Sequence, residues 1–278
     1  MTGATGTVGG YLVRALCKEG APVRALVSSP ERADVLRGYD CGTAVGRYED
    51  PRAMHQALQD VDRVFLVSPA SARSAELEGA VLDAVRRAGG AHVVKLAAAG
   101  VDQPDRDGRF LEQHRAVVAQ LDGLPHTVLA PHGFLQNLVG SAAAVQERGE
   151  LPSLVGPAAM SFIDARDVAA VAAHVLSGTG HDGATYTLTG PRAVTYADIA
   201  AALSERLGRE VRAVDITPQE YRTQAEGQDP WVVEGLLELS EVYRSGGASV
   251  VTDEVQRATG SPGLTLENFL DDHLSAFR

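Results

Sequence analysis

Three glycines spaced three apart constrain this chain more than any other feature: Gly3, Gly6 and Gly9 in Thr2-Gly3-Ala4-Thr5-Gly6-Thr7-Val8-Gly9. In such a loop the first glycine permits a tight turn, the second lets a pyrophosphate approach the backbone, and the third lets a helix pack on the sheet. The helix that follows aims its amino-terminal N–H groups at the anion. Spacing alone is weak evidence, so the surroundings decide. Val8, Leu12, Ala15 and Leu16 share one helical face, Gly20-Ala21-Pro22 ends that helix, and an apolar run covers 23–27. A dinucleotide-binding turn needs that context.

Further apolar runs cover 43–45, 64–67, 93–96 and 127–129, with helical stretches over about 51–60, 74–89 and 108–122. Continuous apolar runs suit strands covered on both faces, and their alternation with helices predicts an α/β, doubly wound parallel sheet of the Rossmann type. Beyond residue 130 the rhythm changes: a helix over 134–148, a loop or extended segment at 151–157, a helix over 164–176 and a strand at 185–188. A capped helix over 196–207, a strand at 211–216 and helices broken by glycine and proline complete the chain. The division expected is a dinucleotide domain over 1–150, completed by 160–190. A smaller, helix-rich substrate-side lobe over 191–278, with 131–160 contributing, would close over it.

Hydrophobic residues make up 45% and charged residues 22%, enough for one large core with a small lobe. The balance of 25 basic against 36 acidic residues, −11, disfavours a nucleic-acid partner. Cys17 and Cys41 lack ligand spacing, so neither a disulfide framework nor a metal site is expected. No basic, apolar leader opens the sequence, and no run approaches the roughly 18 apolar residues of a membrane span. A soluble, cytoplasmic protein is expected, with a small-molecule substrate and no membrane partner.

The segments TGATGTVGGYLVRAL, PVRALV, VFLVSP, VVKLAAAG, PHGFLQN, SFIDARDVAAV and YTLTGP, in that order, resemble the NmrA-like group of atypical short-chain dehydrogenases over nearly the whole chain. The resemblance implies a Rossmann domain binding NAD(P) and a small carboxy-terminal substrate lobe. That group holds quinone, azo and triphenylmethane-dye reductases, and also cofactor-sensing regulators without turnover. Three functions stay open: an NAD(P)H-dependent reductase of a small conjugated acceptor (quinone, azo or enone-like), a non-catalytic NAD(P)-sensing regulator, and a reductase or epimerase step in secondary metabolism.

The cofactor residues expected are Gly3, Thr5, Gly6, Thr7, Val8 and Gly9 in the loop, with Ser28, Ser29, Arg32, Ser68 and Lys95. The residue closing the second strand, about 20 positions past the loop, normally chooses between NAD and NADP. Here that stretch is Val27-Ser28-Ser29-Pro30, with no acid to grip a ribose 2′-OH. Ser28, Ser29 and Arg32 suit a 2′-phosphate, so NADP is expected with NAD as the alternative, and Arg47 stands where it would stack on adenine or reach the same phosphate. Lys95 interrupts an apolar strand near its carboxyl end, where doubly wound folds bind ligands, and either meets the cofactor ribose or snorkels out beside the first helix.

The proton-donating Tyr-x-x-x-Lys pair of ordinary short-chain dehydrogenases is absent: residues 110–118 hold neither Tyr nor Lys, and the strand end reads Ala97-Ala98-Ala99. His114, the one group on that helix expected to titrate near pH 7, and His132 become the acid–base candidates. Phe134, Asn137 and Trp231 are candidate substrate-pocket residues, Tyr243 a possible roof, and Asp164 and Asp167 read as structural. Only Met1 and Thr2 precede Gly3, so the central strand of the order 3-2-1-4-5-6 would be a stub of one or two residues. A natural start several residues upstream, in an apolar strand, is the corresponding expectation.

Overall fold

The computed structural model describes residues 1–278 and divides into two compact units, Met1–Pro131 with Ala165–Thr187 and His132–Asp164 with Leu188–Arg278. Residues 132–150, expected both within the bounds of the first domain and in the 131–160 segment contributing to the second lobe, lie in the second unit. The chain leaves the first sheet at Pro131, where its last apolar strand ends.

In the first unit α1 (Thr7–Lys18) leads into β1 (Arg24–Val27), α2 (Pro30–Asp34), β2 (Gly42–Val45), α3 (Pro51–Ala57), β3 (Arg63–Leu66), α4 (Ser74–Arg87), β4 (His92–Leu96), α5 (Arg109–Ala119) and β5 (His126–Pro131). β1 pairs parallel with β2, β3 with β4, and β4 with β5. Strand alternation divides the core. Leu26, Val64, Leu66 and Val93 pack with α4 and α5 residues such as Val81, Leu82 and Val117, while Ala25 and Val27 join Ala4 and Val13 in a separate cluster. Burial on both sides explains why β1, β3, β4 and β5 read as unbroken apolar runs, whereas β2 is a largely exposed edge strand.

β1 and β3 do not touch as strands; Met1 and Thr2 lie between them. The Met1 carbonyl accepts from Leu26 N–H at 2.9 Å, and Thr2 N–H donates to the Phe65 carbonyl at 2.9 Å. The Thr2 side chain then extends this short rung: Val67 N–H donates to Thr2 Oγ1, and the hydroxyl donates to the Val67 carbonyl, each at 2.8 Å. With β7 (Thr185–Leu188) beyond β5, the order is β2, β1, Met1-Thr2, β3, β4, β5, β7, the doubly wound order with two residues in the central place. α7 (Ala165–Ser177) packs against α1.

The second unit contains α6 (Ala142–Arg148), β6 (Glu150–Ser153), α8 (Tyr196–Leu207), β8 (Arg212–Asp215), α9 (Pro218–Gln224), α10 (Pro230–Arg244), α11 (Glu254–Thr259) and α12 (Leu266–His273). The helix expected over 134–148 is split, with a 3₁₀ segment over Leu135–Ser141 ahead of α6. Gly140, a poor helix residue, lies in that segment. The segment left as loop or extended at 151–157 begins with β6, which pairs parallel with β8 in a sheet of its own. Capping boxes start α8 at Thr195, α9 at Thr217 and α12 at Thr265, each hydroxyl holding the N–H three residues on.

Candidate functional site: a dinucleotide cradle and a buried charge cluster

The glycine loop has the geometry its spacing demands. Gly3 adopts φ +61°, a left-handed conformation that favours glycine, and a Cβ there would strike Val67 Cγ1. A Cβ on Gly9 would overlap the Gly3 carbonyl, so the third glycine is what lets α1 sit down on the loop. Gly6 differs. Its Cβ would meet only the Gly3 carbonyl, at 3.3 Å, with open space beyond. Gly6 is also the N-cap of α1, with no side-chain cap and no acid in the first turn. A 12-residue helix therefore presents its first N–H groups without a competing acceptor, next to a residue that leaves room. These residues fit a pyrophosphate.

At the end of β1, Ser28 is exposed and Ser29 caps α2, accepting from Arg32 N–H at 3.4 Å. The Arg32 guanidinium donates to Thr5 Oγ1 at 3.4 Å, so the cation expected near the 2′-position lies against the glycine loop. Arg32, on the helix that Ser29 caps, thus meets Thr5 from 27 positions along the chain. Arg47 is exposed beyond β2.

Lys95 does neither of the things expected of it. Its side chain is 0% exposed, and its ammonium lies 2.6 Å from Oε2 of Glu78, itself only 2% exposed. On β4 it shares a face with Val93, toward α4 and α5, so it neither snorkels out beside α1 nor offers a surface to a ribose. The other carboxylate oxygen, Oε1, accepts from Ser68 N–H at 3.0 Å and Ser68 Oγ at 2.8 Å. Ser68, another expected cofactor residue, thereby ties the start of the β3–α4 loop to the ion pair. Burial lowers the Lys95 pKa, and the Glu78 carboxylate opposes that shift. Glu78 escaped the sequence reading. The signal was present, since it stands on the stripe that continues through Leu82 and Val85, where an acid has no solvent to face.

His114 is half-buried on α5. Burial first, and the Lys95 charge second, lower its pKa to about 3, so the expectation that it titrates near pH 7 fails. At neutral pH it is an uncharged imidazole.

The remaining candidates belong to the second unit. His132 is buried with Nδ1 2.7 Å from Ser161 Oγ, which also contacts the Val250 carbonyl at 2.6 Å and the Ala248 carbonyl at 3.0 Å. With the hydroxyl donating to a carbonyl, Nδ1–H donates to Ser161. Through Ser161 this histidine joins the segment around residue 161 to the tail at 248–250. Phe134 is half-buried and forms a bridge to Ile163, and Asn137 is exposed. Trp231 is half-buried in the first turn of α10. Asp164 is buried and accepts from Gln136 at 2.8 Å.

An uncapped helix start over a glycine turn, at the carboxyl ends of parallel strands, defines a Rossmann-class dinucleotide-binding protein. Residues 3–179 match the model of the NAD(P)H-binding family. The chain is 35% identical over 281 residues to the NAD(P)H azoreductase of Xenophilus azovorans, covering 100% of this chain and 98% of that protein. It is 36% identical over 282 residues, with the same coverage, to the (4-alkanoyl-5-oxo-2,5-dihydrofuran-3-yl)methyl phosphate reductase of Streptomyces griseus. The crystal structure of the NADPH-dependent quinone oxidoreductase of Escherichia coli complexed with NADPH matches at a TM-score of 0.88 and 25% identity, over 98% of each chain. The chain belongs to the NAD(P)H-binding family, in its NmrA-like group. No helix is long and apolar enough to cross a membrane.

Proposed function

We propose that the protein is an NAD(P)H-dependent reductase of small conjugated acceptors, quinones, azo compounds or enones, with NADPH preferred. The observation that carries the reading is the cradle at Gly6: an uncapped helix start, open space at its N-cap, and the Arg32 guanidinium against the same loop. The names of the azo, furanone and quinone reductases that the chain resembles support the same chemistry.

Gly3, Thr5, Gly6, Thr7, Val8 and Gly9 would hold the pyrophosphate, and Ser28, Ser29 and Arg32 the 2′-phosphate. The reduced nicotinamide, when bound, supplies a hydride. The chain's own part is to bind, orient and stabilise charge. α5 carries no tyrosine or lysine to act as a strong acid, which suits acceptors whose reduced anions are stabilised by conjugation. Phe134, Asn137 and Trp231 are proposed as substrate-side residues of the second unit. Supporting this assignment, Phe134 and Trp231 are half-buried apolar rings and Asn137 is exposed.

The test is oxidation of NADPH and of NADH followed by absorbance against a panel of quinones, azo dyes and enones. Acceptor-dependent oxidation, faster with NADPH, is expected. Tight NADPH binding with no oxidation by any acceptor would refute the reductase reading and leave a cofactor-sensing regulator.

A further inference from the structure

The half-buried polar side chains Gln113 and Arg115 on α5, and Glu78 facing it from α4, are committed to partners within the protein, and His114 is not. Gln113 accepts from Ala75 N–H at the start of α4, at 2.9 Å. Arg115 donates to the carbonyls of Gly100, Val101, Gln103 and Arg106 and so braces the loop that follows β4. Glu78 is held by Ser68 and Lys95. His114, between Gln113 and Arg115, is half-buried, and neither ring nitrogen makes a hydrogen bond within the protein. The ring nitrogens are not enclosed, so they stand open to water or to a ligand.

The charges facing it are the Lys95 ammonium on β4 and, behind that, the Glu78 carboxylate on α4. On its own helix Glu112 is exposed and Arg115 is turned to the loop carbonyls. This surrounding disfavours an imidazolium and leaves a ring with one N–H donor and one lone pair. It stands on α5, the helix entered from the carboxyl end of β4, where doubly wound folds bind ligands.

We propose that His114 meets the acceptor's oxygen, donating a hydrogen bond from an uncharged ring to the negative charge that builds there during reduction. The proposal rests on the reductase reading and narrows it to acceptors with an oxygen conjugated to the reducible bond, quinones and enones before azo compounds. NADPH gives up a hydride and becomes NADP⁺; the acceptor gains two electrons and one hydrogen, and its oxygen takes the second hydrogen as a proton from water. The imidazole keeps its own proton throughout. A neutral ring is suited to this work, because a hydrogen-bond donor that is not itself a strong acid polarises a carbonyl without titrating near neutral pH.

The experiment uses the full chain with His114→Phe and His114→Gln, both checked for folding by circular dichroism and for NADPH affinity by fluorescence. Expected is a kcat for quinone that is flat between about pH 5 and 8, because no imidazolium is consumed. His114→Phe should lose on the order of 10²–10³-fold in kcat at unchanged NADPH affinity, as removal of one oxyanion donor does. Glutamine, which keeps an N–H donor, should recover most of that loss. A kcat limb with a midpoint near 6.5 that disappears in His114→Gln would overturn the proposal in favour of an imidazolium acid, and an undiminished kcat in His114→Phe would overturn it outright. A second readout needs no turnover: in NADP⁺-saturated protein, p-nitrophenolate should shift the His114 ring-nitrogen NMR signals. If the phenolate shifts them while no acceptor is reduced, the reductase reading fails and the oxygen site stands. Turnover with unmoved His114 signals overturns the oxygen site alone.

Discussion

Replacing Lys95 by Met should damage this protein more than replacing Lys95 and Glu78 together. The lysine stem is matched by Met, so packing is nearly kept and the change is the loss of one charge. Glu78 then remains 2% exposed, with Ser68 donating to Oε1 and nothing opposite Oε2. Removing one member of a buried pair typically costs about 3–5 kcal/mol, whereas replacing both is often neutral or stabilising. At about 2–4 °C per kcal/mol, Lys95→Met should lower the first unit's melting temperature by roughly 6–20 °C.

The cost falls on the charge left behind: with Met at 95 the Glu78 carboxylate is enclosed with no cation opposite it, so the deficit is expected in full at pH 8. In Lys95→Met/Glu78→Gln the amide oxygen still accepts from Ser68 and no charge is buried, so stability should return to within about 2 kcal/mol of the parent. Urea denaturation at pH 5 and pH 8, followed by circular dichroism, measures all four corners of the cycle. A single variant within about 1 kcal/mol of the parent at pH 8 would refute the reasoning, as would a double variant no better than the single. The stable double variant also decides the role of Lys95: unchanged NADPH affinity is expected, and a loss would restore the cofactor contact.

Gly6→Val should abolish NADPH binding at a smaller cost in stability than Gly9→Ala, because its Cβ presses on the Gly3 carbonyl at 3.3 Å, a tight contact and not an overlap. Gly9→Ala should lose both, since its Cβ overlaps the Gly3 carbonyl and forces α1 off the loop; fluorescence titration and thermal melts separate the two outcomes. Ser28→Arg should tighten NADPH and leave NADH unchanged, and equal effects on both would remove the 2′-phosphate from that position. Thr2→Val, which leaves Val67 N–H without an acceptor, should cost about 1–3 kcal/mol, while Thr2→Ser should cost less.

The sheet was legible because its inner strands are covered on both sides, so apolar runs such as 23–27 and 93–96 had no rival reading in that rhythm. The glycine loop was legible for a similar reason. Gly3 and Gly9 answer local steric demands, met within a few residues or one strand, while Gly6 leaves space at the helix start. Arg32 was legible only as a cation in the right stretch; its approach to Thr5 depends on how α2 and the loop come together. The divided helix at 135–148 was missed because apolar spacing continues through Gly140 and says nothing about where a 3₁₀ turn gives way to an α-helix.

The buried charges show where a one-dimensional reading stops. Lys95 was conspicuous because an ammonium interrupts an apolar strand, and the inference that it needs a partner was sound: the structure leaves it at 0% exposure. The partner was misassigned, because a ligand and a carboxylate from another helix satisfy an ammonium equally well. Glu78 lies 17 residues earlier on α4, and only the pairing of β3 with β4 brings the β3–α4 connection across to it. The same displacement reverses His114. On sequence its helix position promised an ordinary imidazole near pH 7; in the fold its burial, with Lys95 nearby, makes it neutral. Its chemistry is therefore set by residues on two other elements. In a chain that lacks the Tyr-Lys pair, such a ring can stabilise an oxyanion at neutral pH but cannot serve there as an imidazolium acid.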